Sequence, residues 1–104
     1  MTIKEFLFNA GVYPNLSGFN YLIRAVEIVK EKGKIPIKKG IYEQIANEYG
    51  TSANCVEKAI VTVIKKIKTD DFKRIGVNSR LTTGQFIYFL AFMEGWNGRM
   101  DSNN

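Results

Sequence analysis

Apolar residues recur at helical spacing along much of this chain, and capping residues mark where helices begin. The clearest stretch places Leu22, Ala25 and Val29 on one helical face and is followed by Gly33. Near the start, Thr2 and Glu5 have the spacing of a capping box. The spacing predicts helices over about residues 2–10, 19–32, 39–49, 52–68, 71–75 and 83–94, with an extended connector at 34–37.

The last predicted helix is apolar on nearly every side, from Phe86 to Met93. Such a helix is either buried centrally or lies at an interface. Complete burial of a terminal helix is difficult in a domain this small, so a contact between protomers stays open beside burial. The candidate interface residues are Phe86, Phe89, Leu90, Phe92 and Met93.

Residues 37–60 have the spacing of a helix-turn-helix. Ala46 is small where two helices approach each other, and Gly50, four residues later, suits the left-handed conformation that ends a helix. Val56 follows as the apolar residue through which the second helix packs back. We expect three further residues to complete the apolar seam: Ile45, Tyr49 and Ala59.

The second motif helix presents a polar face, and in helix-turn-helix proteins this helix enters the DNA major groove. Asn54 suits adenine, Glu57 suits the amino group of cytosine, and Lys58 suits guanine. Val61 suits the methyl group of thymine. The alternative interpretation of these four candidate base contacts is a solvated outward face.

Phosphate contacts are predicted at the ends of both motif helices. Free backbone amides at a helix N-terminus favour anions, and lysines neutralise phosphate charge. The candidate phosphate contacts are Lys38, Lys39, Thr51, Ser52 and Lys65. Lys66 and Lys68 suit the same role or are simply solvated. Cys55 is interpreted as a partly buried small apolar residue.

Charge is concentrated in the same segment. The net charge of the chain is +5, and residues 34–69 carry seven lysines against three glutamates, a local charge of +4. Neutralisation of phosphates supplies most non-specific affinity for DNA, so this distribution favours a DNA-binding surface. A solvated lysine-rich helix would give the same composition.

Other functions find little support in the composition. The chain has no histidine and a single cysteine, and it lacks a glycine-rich phosphate loop, so we expect no enzyme activity, no metal and no cofactor. Its longest apolar run is far shorter than the roughly 20 residues of a membrane-spanning helix. With no signal peptide near the N-terminus, we expect a cytoplasmic protein with no membrane partner. Residues 1–100 are predicted to form one domain and residues 101–104 a disordered tail.

Several segments, in order, resemble the C-terminal DNA-binding effector domain of the sporulation stage-zero protein A response regulator family of endospore-forming Firmicutes. The likeness spans about residues 6–93. It is carried by Gly11-Val12, Gly18, Tyr21-Leu22, Ala25-Val26, residues 37–42, Ile45-Ala46, residues 51–53, residues 56–60 and Phe86-Ile87. The resemblance implies an all-α domain of about six helices that binds double-stranded DNA as tandem or paired protomers and regulates transcription.

Two departures from the family pattern limit what carries over. The family protein carries a receiver domain, and this chain starts at the effector domain. In the recognition helix the family has Ser-Arg-Val-Glu-Arg-Ala-Ile-Arg, whereas residues 54–61 are Asn-Cys-Val-Glu-Lys-Ala-Ile-Val. Lysine cannot reproduce the paired hydrogen bonds of arginine to guanine, so we expect a different DNA target. The loss of arginines also keeps an alternative open, a protein-interaction module that pairs with or antagonises a full-length regulator through its apolar last helix.

Overall fold

The computed structural model describes residues 2–77 and 81–97. Within these residues the chain is all-α, as predicted, and has no β-strand. A π-helical turn, Ile37–Tyr42, leads directly into the third helix. The six α-helices are α1 Ile3–Asn9, α2 Ser17–Lys32, α3 Glu43–Tyr49, α4 Ala53–Lys66, α5 Thr69–Arg74 and α6 Thr83–Met93. The predicted tail at 101–104 lies outside the described residues.

Side-chain caps determine where the first and last helices begin. The Thr2 hydroxyl accepts a hydrogen bond from the Glu5 backbone amide, and the Glu5 carboxylate accepts one from the Thr2 amide, which confirms the predicted capping box. Thr82 and Gln85 form the same reciprocal pair at the start of α6. These local bonds satisfy backbone amides that the helix itself leaves unpaired.

Several boundaries differ from the sequence prediction by a few residues; α2, for instance, begins at Ser17 and not at residue 19. The segment from Ile37, predicted as part of a connector, is already helical: the Ile41 amide donates to the Pro36 carbonyl at its start and the Glu43 amide donates to the Lys38 carbonyl at its end. In α5 the Asp71 carboxylate accepts from the Lys68 amide, so this helix begins two residues earlier than predicted. At the other end of the preceding helix, α4 stops at Lys66. Helix ends are the least sharply determined parts of a helix.

The core lies between α2, α4 and α6. Phe86 is at its centre, and its ring meets the rings of Phe6 and Phe72 edge-on at 6.2 and 5.5 Å between centroids. Leu22 and Ile60 are also fully buried, from α2 and α4. A helix at the C-terminal end of the fold is therefore one of its central packing elements, because a single modest core has room for a nearly all-apolar helix.

Burial divides the residues that were predicted to form a protomer interface on α6. Phe86 and Leu90 are fully buried, so that part of the prediction is wrong: these side chains pack in the core and have no surface to offer a partner. Phe92 is 62% exposed, and Phe89 and Met93 are half-buried. These last three residues form what we call the α6 patch.

Candidate nucleic-acid interface

A three-residue turn joins the two helices of the predicted motif. Gly50 ends α3 with φ 68° and ψ 38°, the left-handed conformation that was predicted for it. The amides of Gly50 and Thr51 both donate to the Ala46 carbonyl, the latter at 2.9 Å. The Ser52 hydroxyl then accepts from the Cys55 amide at 3.2 Å and starts α4. Local hydrogen bonding thus sets both sides of the turn.

The scaffold residues of the motif are buried between α3, α4 and α2, as predicted. Ile45 and Val56 are fully buried and Ala46 nearly so. Tyr49 is different: it is 51% exposed, and its ring packs edge-on against Tyr21 of α2 at 5.1 Å. The prediction that Tyr49 completes the seam is wrong, because its side chain lies on the surface of α2 and not under α4.

The four predicted base-contact residues lie on one outward side of α4, which we call the reading face. Asn54, Glu57 and Lys58 are exposed, and Val61 is half-buried. They are spaced at three, four and seven residues, the spacing that places side chains on one side of a helix. From Asn54 to Val61 the helix rises about 10 Å, roughly the length of three base pairs.

Cys55 and Thr62 flank the reading face, and neither was predicted from the sequence to lie there. Cys55 is exposed, so its interpretation as a partly buried residue is wrong. The Thr62 hydroxyl is exposed too and donates to the Lys58 carbonyl at 2.9 Å. Helical spacing indicates this position, since Cys55 aligns with Lys58, Thr62 and Lys66 at intervals of three, seven and eleven residues.

Two ionisable groups near the reading face have shifted pKa values. Hydrogen bonds from the Ser52 and Thr51 side chains hold the pKa of the Cys55 thiol below its ordinary value. Tyr42, at the start of α3, is buried; burial, and next the negative charge of Glu57, raise its pKa to about 12. The Tyr42 phenol is therefore neutral at ordinary pH.

The predicted phosphate contacts are exposed or half-buried at the surface of the motif. Lys38 and Lys39 are exposed in the π-helical turn, and Lys65 is exposed near the end of α4. Ser52 is exposed at the first turn of α4, and Thr51 is half-buried beside it. The structure places all five where an external ligand can reach them; their contact with phosphate stays a prediction.

A polar network on α2 supports α3 from the side away from the reading face. Arg24 donates from Nε and Nη2 to the two carboxylate oxygens of Glu48 at 2.8 and 2.9 Å, and from Nη1 to Glu27 at 3.2 Å. Gln44 donates to Glu48 at 3.2 Å and accepts from Lys32 at 2.8 Å. These bonds, chiefly those from Arg24, lower the pKa of Glu48 to about 2. This network was not predicted from the sequence, because Arg24 and Glu48 are 24 residues apart and no local pattern links them.

Comparison with known families decides the classification of this chain. The model of the family described as sporulation initiation factor Spo0A C terminal matches residues 3–87, most of the chain. The chain belongs to this family. The Spo0A C-terminal family consists of DNA-binding effector domains and is not a family of enzymes, so at the family level the chain is a DNA-binding regulator.

The match to the Spo0A C-terminal family covers α1 to α5, both motif helices included, and ends within α6. No curated protein and no solved structure matches the chain. In the part of the chain that the structure describes, no helix is long and apolar enough to cross a membrane.

Proposed function

We propose that this protein is a sequence-specific regulator of transcription that inserts the N-terminal half of α4 into the major groove of double-stranded DNA. The observation that carries the proposal is the reading face: four side chains with base-recognition chemistry, aligned and accessible on α4 over the length of three base pairs. Membership of a DNA-binding family supports it.

Each residue of the reading face is proposed to contact one base. The Asn54 amide pairs with adenine, the Glu57 carboxylate accepts from the cytosine amino group, and the Lys58 ammonium donates to guanine. Val61 packs on a thymine methyl group. This set lacks arginine, the residue that most often reads guanine, so the proposed target differs from the site bound by family members that have arginines here.

The five candidate phosphate contacts are proposed to hold α4 in register with the duplex. Lys38 and Lys39 contact one phosphate segment through the π-helical turn, and Lys65 contacts another beyond the reading face. Thr51 and Ser52 add hydrogen bonds at the α4 N-terminus, where partial positive charge favours phosphate. Three lysines on phosphates correspond to a slope of about −3 in a plot of log affinity against log salt.

Selection of bound duplexes from a random pool, followed by titration over a salt series, tests this function. We expect an enriched motif of a few base pairs and an affinity that falls steeply with salt. Recovery of no motif together with negligible binding at low salt would refute DNA recognition. Binding that is salt-sensitive but shows no preferred sequence would refute the base contacts while leaving phosphate binding in place.

The α6 patch favours a second candidate function, association with another protomer or with a full-length regulator. Phe92 is 62% exposed beside an open groove of about 510 Å³. The groove is lined by Lys34, Leu81, Gln85, Tyr88, Phe89, Phe92 and Trp96. Exposed apolar surface of this kind is typical of protein contacts. On DNA, such a contact would pair two protomers on neighbouring half-sites.

A point substitution separates association from DNA binding, since removal of α6 would also remove the core residues Phe86 and Leu90. Phe92→Ser should lower self-association in sedimentation experiments and leave the affinity of one protomer for a single half-site unchanged. Gln85→Ser, on the same groove, is the matched control for a polar side chain. Unchanged sedimentation of Phe92→Ser relative to the wild type would contradict the association.

A further inference from the structure

Helix α2 contacts both helices of the motif, and it contacts α4 at very short range. A Cβ atom on Gly18, in the first turn of α2, would lie 2.2 Å from the carbonyl oxygen of Ala59 and 2.5 Å from a methyl carbon of Val63. Only glycine allows this approach, because a carbonyl oxygen of the helix backbone cannot move aside as a flexible side chain can. The close contact at the start of α2 therefore constrains the position of α4 relative to α2.

A different face of α2 holds α3 by polar bonds. Arg24 is six residues beyond Gly18, so the two residues lie in directions about 120° apart around the helix axis. Arg24 donates hydrogen bonds to both carboxylate oxygens of Glu48 in α3 at 2.8 and 2.9 Å. This paired geometry makes the interaction directional. Lys32 bonds Gln44 at 2.8 Å, about 12 Å farther along α2. Two links at separate points restrict both sliding and rotation of α3 along α2.

The placement of α3 matters because Lys38 and Lys39 lie in the π-helical turn that continues into it, whereas the reading face lies on α4. With α4 held closely at Gly18 and α3 held through Arg24, helix α2 contributes to the separation between the lysines and the reading face, together with the direct packing of the π-helical turn against α4. Phosphates and base edges of a duplex are at fixed separations. Any shift of α3 would therefore put base contacts and phosphate contacts out of register.

We propose, on the basis of the DNA-binding function proposed above, that Arg24 and Glu48 are positioning residues for DNA recognition. Their ion pair couples the phosphate-contacting lysines to the reading face without touching DNA. A purely stabilising role is the competing explanation. A purely stabilising pair, whose side chains are 23% and 35% exposed, would affect binding to every duplex equally, whereas a positioning pair affects the preference between duplexes.

The test compares two Glu→Gln variants of the full chain. Glu48→Gln removes the negative charge and one of the two acceptor oxygens through which α3 is linked to Arg24 of α2. Glu27→Gln removes the negative charge of another partner of Arg24, within α2, and changes the net charge by the same amount. Each variant is titrated, well below its melting temperature, with the selected duplex and with an unrelated duplex of equal length. The measured quantity is the ratio of the two affinities.

We expect Glu48→Gln to lower this ratio about threefold to tenfold and Glu27→Gln to leave it within twofold of the wild type. The exchange Arg24→Glu with Glu48→Arg, which keeps the net charge, should restore the ratio where Arg24→Glu alone lowers it. Equal ratios for both Glu→Gln variants, with folding verified by circular dichroism, would overturn the positioning role. So would failure of the folded exchange variant to recover.

The wild-type titration separates failure of this inference from failure of the proposed function. If the wild-type chain prefers no duplex, then DNA recognition itself is refuted, and the positioning role with it. If the wild-type chain shows a preference that Glu48→Gln retains, then DNA recognition stands and only the positioning role is refuted.

Discussion

The two sides of α4 differ in what constrains them. The inner side, with Val56, Ile60 and Val63, is buried against α2 and the rest of the core. The reading face touches no other helix closely enough to be buried, and three of its four residues are exposed. Where the sequence keeps the family pattern, at Val56 and Ile60, packing requires an apolar residue of suitable size. Where it departs from the pattern, the residues are not constrained by the core, and under the proposed function the DNA would constrain them.

Under the proposed function, this contrast explains how a chain can keep its fold while its DNA target changes. A change on the inner side alters the volume of a close-packed core and costs stability. A change on the reading face leaves stability nearly unaffected and alters which base is bound. Substitutions on the two sides should therefore produce opposite combinations of stability loss and specificity change.

The largest effect is expected on the inner side. Ile60→Ala removes fully buried methylene groups and should cost about 2–5 kcal/mol in the free energy of unfolding. Urea denaturation followed by circular dichroism measures this cost. Thr62→Ala, two residues away and exposed, should change it by less than about 0.5 kcal/mol. Similar costs for both variants would contradict the division of α4 into two sides.

On the reading face, Lys58→Ala should relax preference at one base pair, with a loss of discrimination of about 1–3 kcal/mol. Its free energy of unfolding should stay close to that of the wild type. Repeating the duplex selection with this variant measures the change. Lys38→Ala is the comparison variant, because loss of a phosphate contact weakens all sequences about equally. A uniform loss for Lys58→Ala would remove it from the base contacts.

Substitutions at Gly50, in the turn between α3 and α4, test how the turn conformation supports the orientation of the two sides of α4. Gly50 has φ 68°, and a Cβ there would meet no atom within 4 Å, so the cost of a side chain is conformational. Gly50→Ala should destabilise the fold by about 1–2 kcal/mol. Gly50→Asn should cost less, since asparagine tolerates this conformation. Thermal unfolding of both variants measures the difference, and an equal cost would argue against a conformational cause.

The smallest expected effect is a pH dependence of the free energy of unfolding. It arises from the ion pair between Arg24 of α2 and Glu48 of α3. The pKa of Glu48 is lowered from 4.5 to about 2, so its stabilising contribution is full above pH 4.5 and is lost as pH falls toward 2. For an exposed pair the loss is about 0.2–1 kcal/mol. The difference in unfolding free energy between wild type and Glu48→Gln should shrink over this range. A difference independent of pH would contradict it.

Local signals account for half of the helix starts and for the scaffold of the motif. Caps at Thr2, Ser52 and Thr82 act within four residues, so they are visible in the sequence and are present in the structure. The periodicity of α4 likewise separates its buried side from its exposed side. Periodicity did not place Tyr49 correctly, because a tyrosine at the end of a helix suits both a core position and a surface position.

Contacts between distant segments were beyond sequence reasoning. The apolar residues of α6 could not be divided into core and surface, since nearly every position has the same hydrophobic character. Only the packing of Phe86 against Phe6 and Phe72 makes that division. The Arg24–Glu48 pair is similar: each residue looks like an ordinary surface charge until α2 and α3 are side by side.

The sequence by itself determined the helices, the turn at Gly50 and the family, because capping, helical periodicity and left-handed glycine are properties of short segments. It also determined the chemistry of the reading face, since that chemistry is the identity of four side chains. The tertiary structure alone decided which residues of α6 remain at the surface and how α2 holds α3 and α4. Those outcomes depend on which surfaces meet when the core forms, and no short segment carries that information.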